Sequence, residues 1–219
     1  MSGGSDVVRV GVVELPAAGG RSKAGALVRS FFAVALPRQA REACAALVER
    51  LRALPDGEGV RWVAPASYHL TLRFLGNVEV DALAALAARV AERVAGLPPF
   101  AFRLGAARAF PAPSRPRVIA VSVEPEEPLR ALAERLEEGV VAAGLPPERR
   151  GFHAHLTLGR VRSRRHPALS GAEVPGAPEV PVREVVLYRS DLGPGGSTYT
   201  PLQRIALVGA TLEAGTHSP

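Results

Sequence analysis

The stretch His69-Leu70-Thr71-Leu72-Arg73-Phe74-Leu75-Gly76 returns in part 86 residues later, as His155-Leu156-Thr157-Leu158-Gly159-Arg160-Val161-Arg162. In the first copy Leu70, Leu72 and Phe74 alternate with His69, Thr71 and Arg73; in the second Leu156 and Leu158 alternate with His155 and Thr157. Alternation with period two marks a pleated strand, because successive side chains leave opposite faces. Each copy therefore predicts a strand whose leucines enter a core and whose histidine and threonine remain on the other face. A separation of about half a domain points to a duplicated unit that presents two imidazoles and two hydroxyls to a shared cleft.

The order of elements around the two copies repeats as well. The apolar run FFAVALP (31–37) reads as a strand, and Ala40, Cys44, Leu47 and Leu51 follow at helical spacing before the first HLTL strand. RPRVIAVSV (115–123) reads as a strand, and Leu129, Leu132, Leu136 and Val140 mark a helix before the second. Between these units, Gly76-Asn77 closes the first HLTL strand, Leu83, Leu86, Val90 and Val94 mark a further helix, and FAFRLGAARAF (100–110) alternates as a strand. After the second copy come a basic Gly/Pro-rich loop (162–178), a strand at VREVVLYRS, a turn at DLGPGGSTY and a closing strand at RIALVGA. No glycine-rich phosphate loop sits at a strand-to-helix turn, which disfavours a doubly wound parallel sheet. The expected fold is α+β and bilobal with pseudo-twofold symmetry, each lobe a curved antiparallel sheet with helices on its outer face.

Residues 1–28 are small and polar at both ends and read as a loosely ordered extension with a candidate strand at Val7 to Leu15. Residues 29–210 form the expected domain and 211–219 a patternless tail. The chain has 219 residues, 47% of them hydrophobic, enough to fill a core. Its net charge of +6 and pI near 10.6 rest mostly on arginine and favour an anionic partner, phosphate above all, although an arginine-biased genome gives the same excess. The single cysteine, Cys44, rules out an internal disulfide and a cysteine-based zinc site, and its helical position suggests a small buried thiol. No run approaches the roughly 18 apolar residues of a membrane span, and no secretory pattern opens the chain, so a cytoplasmic protein is expected.

Two imidazoles facing one cleft suit phosphodiester cleavage, since one takes a proton from the nucleophile while the other gives one to the leaving oxygen. With a reference pKa near 6.5, the two protonation states coexist near neutral pH and no metal or other cofactor is needed. Thr71 and Thr157 share their histidines' faces and supply hydroxyls for non-bridging phosphate oxygens. Arg73 extends the His69 face toward a phosphate or the backbone, or else is a solvated arginine. Arg160 falls on the wrong face of an ideal strand unless a bulge at Gly159 turns it inward, where it is a candidate phosphate ligand. His153 makes an HxH pair with His155, but no acidic third ligand lies near in sequence; His166 and His217 read as solvent-exposed. Among Trp62, Phe110, Tyr188 and Tyr199, each suited to base stacking or to core packing, Tyr199 in its Gly/Ser-rich turn is the favoured stacking residue.

HLTLRFLG paired with HAHLTLGRVR, preceded by FFAVALP and RWVAP and followed by VVLYRSDL, resembles the 2H phosphoesterase superfamily. The resemblance runs from about Ser30 to Val208 and is most specific to the RNA 2′,3′-cyclic phosphodiesterases historically called 2′-5′ RNA ligases, the LigT-like group. It implies a metal-free site between two lobes. Carried over, His69 matches the proton donor, His155 the proton acceptor, and Thr71 and Thr157 the threonines that contact phosphate. The implied reaction opens a 2′,3′-cyclic phosphate at an RNA or oligonucleotide end to a 2′-phosphate; a monomer is expected, although no residue pattern bears on oligomeric state. Joining such an end to a 5′-hydroxyl as a 2′-5′ bond is the alternative activity, and a catalytically idle RNA-binding module the alternative class. This chain departs from the family pattern at Ala154, where proline is common, and in the N-terminal extension.

Overall fold

A computed structural model describes residues 12–14, 25–162, 169–193 and 196–209. In chain order the elements are β1 Val12–Glu14, β2 Leu27–Ala35, α1 Arg38–Arg52, β3 Val60–Trp62, β4 His69–Glu79, α2 Leu83–Val94 and β5 Phe100–Phe110. There follow β6 Val118–Glu124, α3 Glu127–Ala142, β7 Leu156–Val161, β8 Glu179–Val182, β9 Glu184–Gly193 and β10 Gly196–Ala206. The fold is α+β, and the described strands pair antiparallel.

The strands run in the order β1-β10-β9-β2-β4-β7-β6-β5-β8. The order is palindromic about the β4–β7 seam: β10-β9-β2-β4 form one lobe and β8-β5-β6-β7 the other. The two HLTL strands are the innermost member of each lobe, and they touch through one registered pair, Leu70 with Leu156. The lobes are therefore halves of one continuous sheet. β3 pairs with β7 beside this seam.

The leucines behave as their alternation requires. Leu70, Leu156 and Leu158 are fully buried in one core with the inner faces of α1, α2 and α3, among them Cys44, Leu47, Leu86, Val90, Leu132 and Leu136. Apolar side chains at helical spacing cover the sheet on that side, leaving the opposite face concave. Burial pushes the Cys44 thiol up to about 12, so it is packing and not a nucleophile.

Four local expectations are corrected. β4 does not stop at Gly76-Asn77 but continues to Glu79, with Gly76 in the left-handed region at φ +75. The turn expected at DLGPGGSTY is mostly strand, with Gly193 opposite Gly196 in a long β9–β10 hairpin, and Tyr199 lies within β10. Part of the expected N-terminal strand is β1, which pairs with β10. β8 was not anticipated, because Pro181 interrupts the strand pattern; it is tolerated on an edge strand that pairs only with β5. His166, His217 and the 211–219 tail lie outside the described residues.

Candidate active site

The same irregularity occurs in both copies of the motif and decides which side chains reach the concave face. In the first lobe Ala33 pairs with Thr71 and Phe32 with Arg73, so Leu72 is an extra residue in β4. In the second, Ala120 pairs with Thr157 and Ile119 with Gly159, so Leu158 is the extra residue in β7. A bulge shifts the alternation by one. After His69 and Thr71 the next residue on the concave face is accordingly Phe74, and after His155 and Thr157 it is Arg160. Arg160 does turn inward, through a bulge one residue earlier than Gly159. Phe74, expected in the core, is instead 53% exposed in the cleft, where its ring meets Phe31 at 5.9 Å.

Gly159 serves another purpose. A Cβ there would lie 2.4 Å from Val60 Cγ1 and 3.0 Å from Trp62 Cε3, so glycine is what lets β3 approach β7 on the core side.

His69, Thr71, His155, Thr157, Arg160 and Tyr199 line one open cleft of about 1510 Å³. The two imidazoles are held alike: His69 Nδ1–H donates to the Ser67 carbonyl at 2.8 Å, and His155 Nδ1–H to the His153 carbonyl at 2.8 Å. A backbone acceptor two residues upstream fixes the tautomer and leaves Nε2 as the working nitrogen. For His69, Nε2 lies 3.0 Å from Thr71 Oγ1, where the neutral ring accepts from the hydroxyl. His155 sits immediately before β7, and Ala154 N–H donates to the Glu126 carboxylate at 3.2 Å. Proline at 154 has no N–H to give, so this departure from the family pattern supplies an anchor for the backbone before His155.

The surroundings of the two rings differ. Tyr199 meets His69 edge-on at 4.9 Å, and Phe31 packs under it at 4.8 Å and stacks on Tyr188 at 5.3 Å. Burial in this aromatic box pulls His69 below the ordinary histidine value of 6.5; the Ser67 carbonyl opposes the shift, while the positive charges of Arg160 and His155 add to it. Arg160 lines the same cleft as both histidines. His155 instead stacks on Phe110, with centroids 4.4 Å apart and planes 16° from parallel. Phe110 is among the rings weighed for stacking, but Phe31 and Phe74 escape notice as site residues, because in an apolar run nothing distinguishes the ring that faces the cleft from the ring that faces the core.

Arg73 lies at the cleft wall but is engaged by protein. Its guanidinium donates to Glu137 of α3, to the Pro146 carbonyl at 2.6 Å and to the Phe74 carbonyl, with Glu148 at 3.8 Å. It ties the first motif strand to the helix and loop that lead into the second. Among the described residues no three His, Cys, Asp or Glu side chains gather as a metal site, and no helix is long and apolar enough to cross a membrane.

Residues 36–194 match the model of the 2′-5′ RNA ligase superfamily. A Thermus thermophilus protein named RNA 2′,3′-cyclic phosphodiesterase is 38% identical over 191 residues, covering 83% of this chain and 91% of its own. A protein of the same name from Methanothermobacter thermautotrophicus is 33% identical over 184 residues, covering 80% and 97%. The crystal structure of Escherichia coli LigT complexed with 3′-AMP superposes with a TM-score of 0.71 at 32% identity, covering 83% of this chain and 99% of that one. With a family model spanning well over half its length and relatives above 30% identity matched almost from end to end, the chain belongs to the 2′-5′ RNA ligase superfamily.

Proposed function

We propose that this protein is an RNA 2′,3′-cyclic phosphodiesterase, hydrolysing cyclic phosphate ends to 2′-phosphomonoesters by two-histidine acid–base catalysis without a metal. The observation that carries this reading is the matched anchoring of His69 and His155, whose Nδ1–H groups are spent on backbone carbonyls and whose Nε2 atoms serve one cleft. The names of the relatives, and the 3′-AMP held by the LigT neighbour, point to the same substrate class.

In this mechanism the cyclic phosphorus lies between the rings. His155 Nε2 takes a proton from water as its oxygen attacks phosphorus, and His69 Nε2–H gives a proton to the departing 3′ oxygen. The phosphate remains on the 2′ oxygen. Thr71 and Thr157 hydroxyls donate to the non-bridging oxygens, and Arg160 adds a cation where negative charge grows. The acid role needs a protonated His69, whereas burial and the neighbouring Arg160 cation disfavour protonation. A bound phosphate reverses this, because its negative charge favours the imidazolium. The proton donor is thus charged by the substrate it serves.

The catalytic unit is residues 29–210, and it acts as a monomer, since both histidines come from one chain. A single buried thiol and an RNA substrate fit the cytoplasm. The test is turnover of adenosine 2′,3′-cyclic phosphate in excess EDTA. Undiminished formation of the 2′-phosphate is expected, with His69→Ala and His155→Ala each slowing it by about 10² or more. Activity abolished by EDTA and restored by a divalent ion would overturn the metal-free mechanism.

A further inference from the structure

β3 contributes one side chain that the reaction just described does not use. In the β3–β7 ladder Val60 faces Val161, Arg61 faces Arg160 and Trp62 faces Gly159. Val60 is buried and Trp62 packs against the core, so Arg61 projects from the other face, the one from which Arg160 reaches the histidines. Two arginines thus stand directly opposite each other on adjacent strands. Like charges so placed are destabilising. Neither side chain makes an ion pair or hydrogen bond with any other described residue, although eleven ion pairs among the described residues occupy other arginines.

The two heads have different surroundings. Arg160 lines the cleft together with His69 and His155. Arg61 is exposed, and its Nη2 lies 3.5 Å from the place a Cβ would take on Gly196, which pairs with Gly193 in the β9–β10 hairpin. That hairpin also carries Tyr199, which lines the cleft. One guanidinium thus lines the cleft, and a second, from the facing residue of β3, lies just outside its lining beside the hairpin that carries Tyr199.

We infer that Arg61 holds the 5′-phosphoryl group of the terminal nucleotide, so that the protein prefers an oligonucleotide end to a cyclic mononucleotide. This rests on the function proposed above and adds to it a second phosphate subsite. A cyclic-phosphate nucleoside carries one phosphate across its 2′ and 3′ oxygens. Only as the end of a chain does it carry a second, on the 5′ oxygen, one ribose away. Cross-strand neighbours start about 4.5–5.5 Å apart at Cβ, and their long side chains diverge from there, a geometry that spans two phosphates on one ribose. A guanidinium is suited to each, since it can bind phosphate oxygens bidentately.

The experiment compares kcat/KM for adenosine 2′,3′-cyclic phosphate with that for the dinucleotide ApA ending in a 2′,3′-cyclic phosphate. Wild type should favour the dinucleotide, and Arg61→Ala should cut that preference about tenfold through KM, the cost of one charge-assisted hydrogen bond. Arg61→Lys should recover part of it. A preference that changes less than twofold, or an equal loss on both substrates, overturns the subsite. In parallel, binding of the labelled dinucleotide to His155→Ala is followed against salt. Adding Arg61→Ala should flatten the slope of log K on log salt by about 0.7, one phosphate contact on a single strand; an unchanged slope also overturns it. If wild type hydrolyses neither substrate, the proposed activity fails, and the binding arm still decides the subsite.

Discussion

Replacing Arg73 by alanine separates a lobe-fastening role from a substrate-binding one. Its side chain is 11% exposed and that of its Glu137 partner 27%. Breaking a fully buried pair from one side costs about 3–5 kcal/mol, while an exposed pair is worth about 0–1 kcal/mol. Glu137 keeps a quarter of its surface in water and still accepts from Glu148 N–H at 2.7 Å, which places the loss between these limits, at about 2 kcal/mol. For a chain of this size that lowers Tm by about 4–8 °C. The Pro146 carbonyl loses its donor as well, so the loop from Gly144 to His155 is released at its start, and misplacement of His155 should reduce kcat about tenfold. The assay is a double-mutant cycle of Arg73→Ala with Glu137→Gln, reading thermal unfolding and steady-state turnover. A coupling energy of about 1 kcal/mol or more is expected. A variant with unaltered Tm, a raised KM, and no coupling to Glu137 would refute the fastening role and make Arg73 a substrate ligand.

Two further outcomes test the site's construction. The His69 Cε1 proton should titrate below 6.5 in the free protein; its midpoint should rise when 2′-AMP fills the cleft, and should also rise in Arg160→Ala, because a cation that disfavours the imidazolium is gone. An NMR titration in which Arg160→Ala leaves or lowers that midpoint would contradict the placement of Arg160. Gly159→Ala forces a methyl to within 2.4 Å of Val60 and should cost about 1–3 kcal/mol, read as a lower Tm, whereas Gly151→Ala, with open space around it, should leave Tm unchanged.

The sequence carried the outline of this molecule because its two strongest signals, the alternation of leucines and the duplicated HxT, are local. Leu70, Leu156 and Leu158 are buried and His69, Thr71, His155 and Thr157 line the cleft, as period two requires. Beyond Thr71 and Thr157 that period fails, since a bulge is set by the partner strand: the extra residue appears only when Ala33 and Ala120 are seen opposite the two threonines. One omission accounts for both errors of facing in the first copy, Phe74 placed in the core and Arg73 on the face of His69. In the second copy a bulge is allowed for, and Arg160 does turn inward. Nor could a linear pattern distinguish Phe31, under the imidazole, from Phe32, in the core.

The matched bulges also show how a pseudo-symmetric site acquires direction. Up to the bulge the lobes offer the same groups, an imidazole and a hydroxyl each, to a phosphate between them. The first concave residue after the bulge breaks the symmetry, a ring at Phe74 in one lobe and a guanidinium at Arg160 in the other. Arg160 of one lobe and the Phe74–Phe31 pair of the other both bear on the His69 ring, while His155 stacks on Phe110, and this makes the two ways of seating a nucleotide unequal in energy. The second arginine, at position 61, sits on the Arg160 side and widens that inequality. Exchanging the two, as Phe74→Arg with Arg160→Phe, should leave the acid–base pair intact yet seat the substrate with its 2′ and 3′ oxygens presented to the wrong histidines. Hydrolysis should then fall while binding persists; unchanged turnover by the exchanged variant would mean that neither side chain orients the nucleotide.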